Sequence, residues 1–111
     1  MSTSRQLPPL SHLQFLALGV ILSAEEPGRV IRDVVADYGV RRTGAAFYQL
    51  MARLERDGLI EGWYEPIVVG DQAVRERRYR ITAAGTRAWR QTRTFYETVA
   101  AAAAQGRLAN A

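Results

Sequence analysis

A chain of 111 residues, 48% hydrophobic and 23% charged, is globular in composition, long enough for one packed core and too short for two. Its formal charge of +4 and pI near 10.1 favour anionic partners. It has no cysteine and a single histidine, which excludes disulfides, thiolate metal sites and cysteine nucleophiles and leaves little from which to build a catalytic centre.

No metal, cofactor or enzymatic activity is therefore expected. The lack of cysteine suits a reducing cytoplasm, which is the expected location. All fifteen cations are arginine. Arginine suits bidentate phosphate or guanine contacts, although a complete lack of lysine is the mark of codon usage as much as of function.

Taken in order, residues 1–9 are polar and end in Pro8-Pro9, the pattern of a flexible arm. Ser11 and Gln14 form a capping-box pattern, and a helix is predicted from His12 to about Ala24. Arg5, the apolar run Leu13–Leu22 and Ser23-Ala24 loosely imitate a signal peptide, but Gln14 interrupts the run and the cap favours a buried core helix. No stretch is long enough to span a membrane. Leu13, Phe15, Leu16, Leu18, Val20, Ile21 and Leu22 make this helix apolar nearly all round, which points to a second subunit over the side this subunit leaves bare.

Glu25-Glu26-Pro27-Gly28 breaks the chain, and a second helix is predicted from Arg29 to Tyr38 with Val30, Ile31, Val34, Val35 and Tyr38 inward. Gly39 stops it. After a short turn comes the stretch Arg41–Ile60, in which Phe47, Leu50, Met51 and Leu54 fall on one apolar stripe. Its opposite face carries Ala45, Tyr48, Gln49, Ala52, Arg53 and Arg56, with Thr43 as cap and Gly58 as stop. Helix, glycine-containing turn and amphipathic helix make a helix-turn-helix. A face of small, then hydrogen-bonding and cationic residues suits a DNA major groove; a solvated basic face is the alternative.

Past Gly58 the apolar period changes to two. Strands are predicted over Ile60–Val69 and Glu76–Thr82, joined by a loop at 70–75 too long for a tight hairpin, with Pro66 marking the first as an edge. This wing is expected to carry Arg75, Arg77, Arg78 and Arg80 near its tip and outer face, either to grip DNA or only to discourage edge-to-edge aggregation. A last helix, capped by Thr82, is predicted over 83–105, with 106–111 a frayed tail. Trp89, Phe95, Tyr96 and Val99 lie along it with too little domain left to bury them, so a partner helix is expected. The fold class is thus mainly α with a two-stranded β wing: a winged helix-turn-helix domain over 10–82 followed by a C-terminal dimerisation helix.

The segment FYQLMARLERDGLIEG, the basic RERRYRITAAG and the opening LSHLQFLALGVILS together resemble the PadR family of bacterial transcription regulators, over roughly residues 10 to 95. The resemblance implies a winged-helix homodimer that binds operator DNA, usually as a repressor. It further implies pairing of the terminal helix with the partner's first helix, and in some members release by a phenolic or other aromatic compound. Three positions depart from the family pattern: Gln49 where proline often follows the tyrosine, Arg29-Val30 after Gly28, and Ala45-Ala46 at the usual serine.

The candidate DNA-binding residues are Arg41, Arg42, Thr43, Tyr48, Gln49, Arg53, Arg75, Arg77, Arg78 and Arg80. Gln49 is the candidate for a base edge, Arg53 and the wing arginines for the backbone, and Tyr48 either faces DNA or packs back on the domain. The dimer interface is expected at Leu13, Phe15, Leu16, Trp89, Phe95, Tyr96 and Val99. Trp89, Phe95 and Tyr96 line a candidate aromatic-effector site there, unless they are plain packing. A winged-helix module that binds protein instead of DNA is the competing reading.

Overall fold

The computed structural model describes residues 7–110, so Met1–Gln6 of the expected arm and Ala111 lie outside the described residues. Helix α1 (His12–Val20) starts as its capping box predicts: the Gln14 N–H donates to Ser11 Oγ at 3.2 Å and the Ser11 N–H to Gln14 Oε1 at 3.0 Å. It ends at Val20 instead of running to Ala24, because the Ile21 N–H turns back to the Leu18 carbonyl at 3.1 Å. The early stop frees the chain to deliver β1 (Glu26–Pro27), a two-residue strand where only a chain break is predicted.

Helix α2 (Gly28–Asp37) buries Ile31 and Val35. Tyr38 is not inward as predicted but 70% exposed, since it caps the helix beyond its last turn and lies at the rim of the fold. Helix α3 (Gly44–Arg56) follows its predicted stripe: Phe47, Met51 and Leu54 are fully buried and Leu50 half-buried. Thr43 caps it, accepting the Ala46 N–H at 3.1 Å. Gly58, at φ +75°, closes it; its N–H reaches the Glu55 carbonyl and the Leu59 N–H reaches that of Leu54, the two bonds of a Schellman turn.

The wing is a longer and tighter hairpin than predicted. Strand β2 (Ile60–Val69) and β3 (Gln72–Ile81) pair antiparallel from Ile60 opposite Ile81 to Val69 opposite Gln72, leaving only Gly70-Asp71 as the turn. Gly70 takes a positive φ of 63° and Asp71 does not, the sign pattern of a II′ turn, which matches strand twist and so allows a two-residue loop. The sheet order is β1-β3-β2, which leaves β2, with Pro66, as an edge.

Helix α4 (Ala83–Ala104) is capped by Thr82, and a turn of 3₁₀ helix, Leu108–Asn110, follows it. The core joins Leu10, Ala17, Leu18 and Ile21 to Ile31 and Val35 of α2, the α3 stripe, Ile60 and Tyr79 of the sheet, and Ala88 of α4.

Thr82 ties three elements at once: its hydroxyl accepts the Gly85 N–H at 3.0 Å and donates to the Gly58 carbonyl at 2.7 Å. Thr82→Ala removes both bonds and is expected to lower unfolding free energy by about 2 kcal/mol, with Thr82→Ser restoring most of it. Urea unfolding of the two variants measures this, and equal losses would deny the hydroxyl its role.

Candidate nucleic-acid interface

The buried stripe of α3 turns its other face outward. Ala45, Tyr48, Gln49, Ala52, Arg53 and Arg56 are all exposed, as are Arg41 and Arg42 at the helix entrance. The entrance is anchored from below, because Arg32 of α2 donates to the Arg42 carbonyl at 2.9 Å. Among the described residues Arg41, Arg42, Arg53 and Arg56 form no ion pair, and the Gln49 amide has no partner. Tyr48 sits edge-on to Phe47, ring centroids 5.1 Å apart, and remains 41% exposed. Its hydroxyl end lies over the start of α2, where a Cβ on Gly28 would fall 2.8 Å from the phenol oxygen.

The hairpin register sorts the wing arginines by face. Arg75 and Arg77 stand opposite Pro66 and Tyr64, on the face that carries Tyr79; Arg78 and Arg80 stand opposite Trp63 and Glu61, on the face of Glu65 and Glu76. Of the four arginines expected near the tip and outer face, Arg75 and Arg80 are exposed, whereas Arg77 and Arg78 are half-buried. Arg80 pairs with Glu61 at 2.8 Å, which also holds its guanidinium pKa above the usual arginine value. Arg78 is only 21% exposed and lies 3.5–3.6 Å from Glu25, Glu65 and Glu76; Glu76 in turn binds Arg29 at 2.7 Å.

Arg77 places one nitrogen 2.8 and 2.9 Å from the two carboxylate oxygens of Glu55 on α3, and this bond raises its pKa. Its guanidinium lies 4.8 Å from the Tyr64 ring centre and 5.6 Å from that of Tyr79. Glycine at position 62 makes room for the pair, because a Cβ there would meet both Arg77 and Glu55 at 2.8 Å. Arg75 is the wing arginine without an ion pair among the described residues; it is exposed and lies 4.8 Å over Tyr64. Beside the Gly70-Asp71 turn, Val68 and Val69 are exposed. Tyr48, Ala52, Tyr64, Arg75 and Arg77 thus line one open hollow of about 600 Å³ between α3 and the wing.

The aromatics of α4 are met by α1 of the same chain, so the domain does cover them in part. Trp89 stacks on Phe15, centroids 4.8 Å apart and 10° from parallel, and donates to the Phe15 carbonyl at 3.2 Å. Tyr96 stacks on His12. Leu13, Leu16, Phe95 and Val99 are half-buried, and Phe15, Leu16, Gly19, Val20, Val34, Tyr38 and Trp89 border an open apolar hollow of about 270 Å³. Among the described residues no group of three or more His, Cys, Asp or Glu is placed to hold a metal, and no helix is long and apolar enough to cross a membrane.

Three helices, a hairpin wing and a long C-terminal helix define a winged helix-turn-helix protein. No protein-family model matches the sequence, and no curated protein does. Among solved structures, a PadR family transcriptional regulator from Eggerthella lenta is 25% identical, with a TM-score of 0.63 over 84% of this chain and 79% of that one. A PadR family regulator from Clostridium difficile R20291 is 16% identical, with a TM-score of 0.72 over 86% and 97%. Bacillus subtilis PadR, solved in complex with operator DNA, is 18% identical, with a TM-score of 0.58 over 74% of this chain and 46% of that one. The chain is a PadR-like winged-helix protein.

Tyr79 offers a check on how the wing seats against α3. Burial holds its phenol up at about 12, against an opposing pull from Arg77. Because the folded value lies above the ordinary value of about 10, the stability it contributes is full below pH 10 and is lost as pH rises through 12. Ultraviolet titration should show a late phenolate step near pH 12, and Tyr79→Phe should remove that step. A late step that survives the substitution would place Tyr79 outside the core.

Proposed function

We propose that this chain is a sequence-specific DNA-binding transcriptional regulator that works as a homodimer and a repressor in the cytoplasm. The observation that carries the reading is the contrast in charge pairing. Among the described residues the arginines at the entrance and outer face of α3 are unpaired, whereas Arg77, Arg78 and Arg80 are each held by carboxylates. A surface that keeps its cations free on one exposed helix is suited to the phosphates flanking a major groove, with Gln49 open to read a base edge. The operator complex of Bacillus subtilis PadR, a protein of the same fold, supports this reading.

In this reading Arg41, Arg42, Arg53 and Arg75 meet phosphates, Thr43 fixes the helix entrance, and Tyr48 borders the groove. Arg77 and Arg78 hold the wing in shape, and Arg80 is largely neutralised by Glu61, so none of the three is a main DNA contact. The apolar hollow beside Trp89 supports a partner subunit, whose arrival would complete the cover over Leu13, Phe15, Leu16, Phe95 and Val99. An aromatic effector would enter at Trp89, Phe95 and Tyr96 and alter that contact. The exposed Val68 and Val69 at the wing tip favour a second reading, a module that docks on protein through the wing.

A dimer that neutralises on the order of eight phosphates should lose affinity for duplex DNA with a log–log salt slope near −7. Arg75→Ala should weaken all sequences alike, by roughly tenfold, while Arg80→Ala changes affinity by less than about twofold. Gln49→Ala should instead change the preference between operators selected from a genomic library. A slope of about −2 or shallower would favour the protein-docking reading. Sedimentation should give a dimer, and quenching of tryptophan emission by planar aromatic compounds should diminish in Trp89→Phe; quenching unchanged by that substitution would remove the effector site.

A further inference from the structure

The start of α1 and the outer face of α3 enclose an open hollow of about 570 Å³, to which α1 brings His12 and Gln14, the turn Arg42, and α3 Gln49 and Arg53. Among the described residues no carboxylate lines it. Arg42 and Arg53 are exposed and form no ion pair among the described residues. Two arginines that line one concavity without a counter-charge among the described residues suit an anion from outside, and a guanidinium fork matches phosphate oxygens best.

At the α1 entrance the capping box already occupies the Ser11 and Gln14 N–H groups. The third group is the chain's single histidine, His12. Its ring stacks on Tyr96 of α4, centroids 6.0 Å apart and 29° from parallel, and its Nδ1 lies 3.4 Å from the Tyr96 hydroxyl. With that hydroxyl donating to Nδ1, the ring carries its proton on Nε2, which is then a donor for an oxygen in the hollow.

We propose that the hollow seats one phosphodiester of the duplex, held by Arg42, Arg53 and His12, with Tyr96 as the residue that positions the imidazole. The inference rests on the DNA-binding reading above and extends the contact surface beyond the helix-turn-helix and wing to α1. It gives α4 a side chain in the second layer of that contact. A change in how α4 packs then reaches the DNA face through the His12–Tyr96 pair.

The test uses the full chain and a fluorescent duplex of mixed sequence at low salt, read by anisotropy beside a selected operator. His12 is exposed, so His12→Ala should lower the thermal unfolding temperature only by the small loss of its contact with Tyr96. It should weaken both duplexes on the order of tenfold, the loss of one hydrogen bond to a charged group. Tyr96→Phe, which keeps the stacked ring, should weaken them by about threefold, and the double variant should be no weaker than His12→Ala alone. Affinity within about twofold of the natural chain for His12→Ala, or independent losses from the two substitutions, overturns the proposal while leaving the DNA reading standing. Failure of the natural chain to bind either duplex overturns the DNA reading and this contact with it.

Discussion

Fifteen arginines share this chain with eleven carboxylates, and the positions of the carboxylates decide which cations remain available to an external anion. Glu55 holds Arg77, Glu61 holds Arg80, and Glu25, Glu65 and Glu76 surround Arg78. Among the described residues Arg41, Arg42, Arg53 and Arg56 around α3 and Arg75 on the wing are thereby left without an ion pair, as are Arg32, Arg87, Arg90 and Arg107 elsewhere on the surface. The pairs differ in what else they do. Arg80 and Glu61 are both more than half exposed, so their attraction adds little stability and acts mainly by cancelling field. Arg78 is mostly covered, with a buried Nε that has no hydrogen-bond partner, and removing it would leave three carboxylates facing one another.

Glu55 and Arg77 have a further effect, because they join different elements. Glu55 belongs to α3 and Arg77 to β3, so their bond fixes the wing against the helix whose other face is the candidate reading surface. The same contact depends on Gly62, which leaves the space, and on Tyr64 and Tyr79, whose rings flank the guanidinium. Below it, Phe47, Met51 and Leu54 seat the helix in the core. A surface meant to fit a groove needs its supporting side chains locked from behind, and here both packing and an ion pair supply the lock.

The α3 stripe, both threonine caps, the Gly58 stop and the bounds of β2 were legible in the sequence because each depends on local spacing. The pairing of the wing arginines stayed hidden because of the hairpin turn. A loop over 70–75 leaves the register of the two strands open, whereas the two-residue Gly70-Asp71 turn sets Glu61 opposite Arg80 and Trp63 opposite Arg78. Without that register the wing arginines look alike, and their carboxylate partners cannot be assigned. Gly70 beside Asp71 carried the signal, since glycine in the first turn position is the mark of a II′ hairpin. Other differences, β1 and Tyr38 among them, have local causes. A strand of two residues that includes Pro27 is too short for any periodicity, and Tyr38 obeys the α2 spacing but falls beyond the last helical turn.

The terminal helix shows how far one subunit can satisfy its own apolar surface. Its first half is engaged at home: Ala88 and Thr92 are buried, Trp89 lies flat on Phe15, and Tyr96 on His12. Its second half, from Glu97 to Ala104, is exposed except for half-buried Val99 and Ala102. A partner subunit would therefore meet two different surfaces, the alanine-rich end of α4 and the hollow bounded by Leu16, Val20, Val34 and Trp89. Alanine lets helices approach closely, and the hollow has room for larger side chains. Phe15 and Trp89 lie between an internal stack and that hollow, so a partner that reshaped the hollow would press on the same α1–α4 contact that holds Tyr96 against His12.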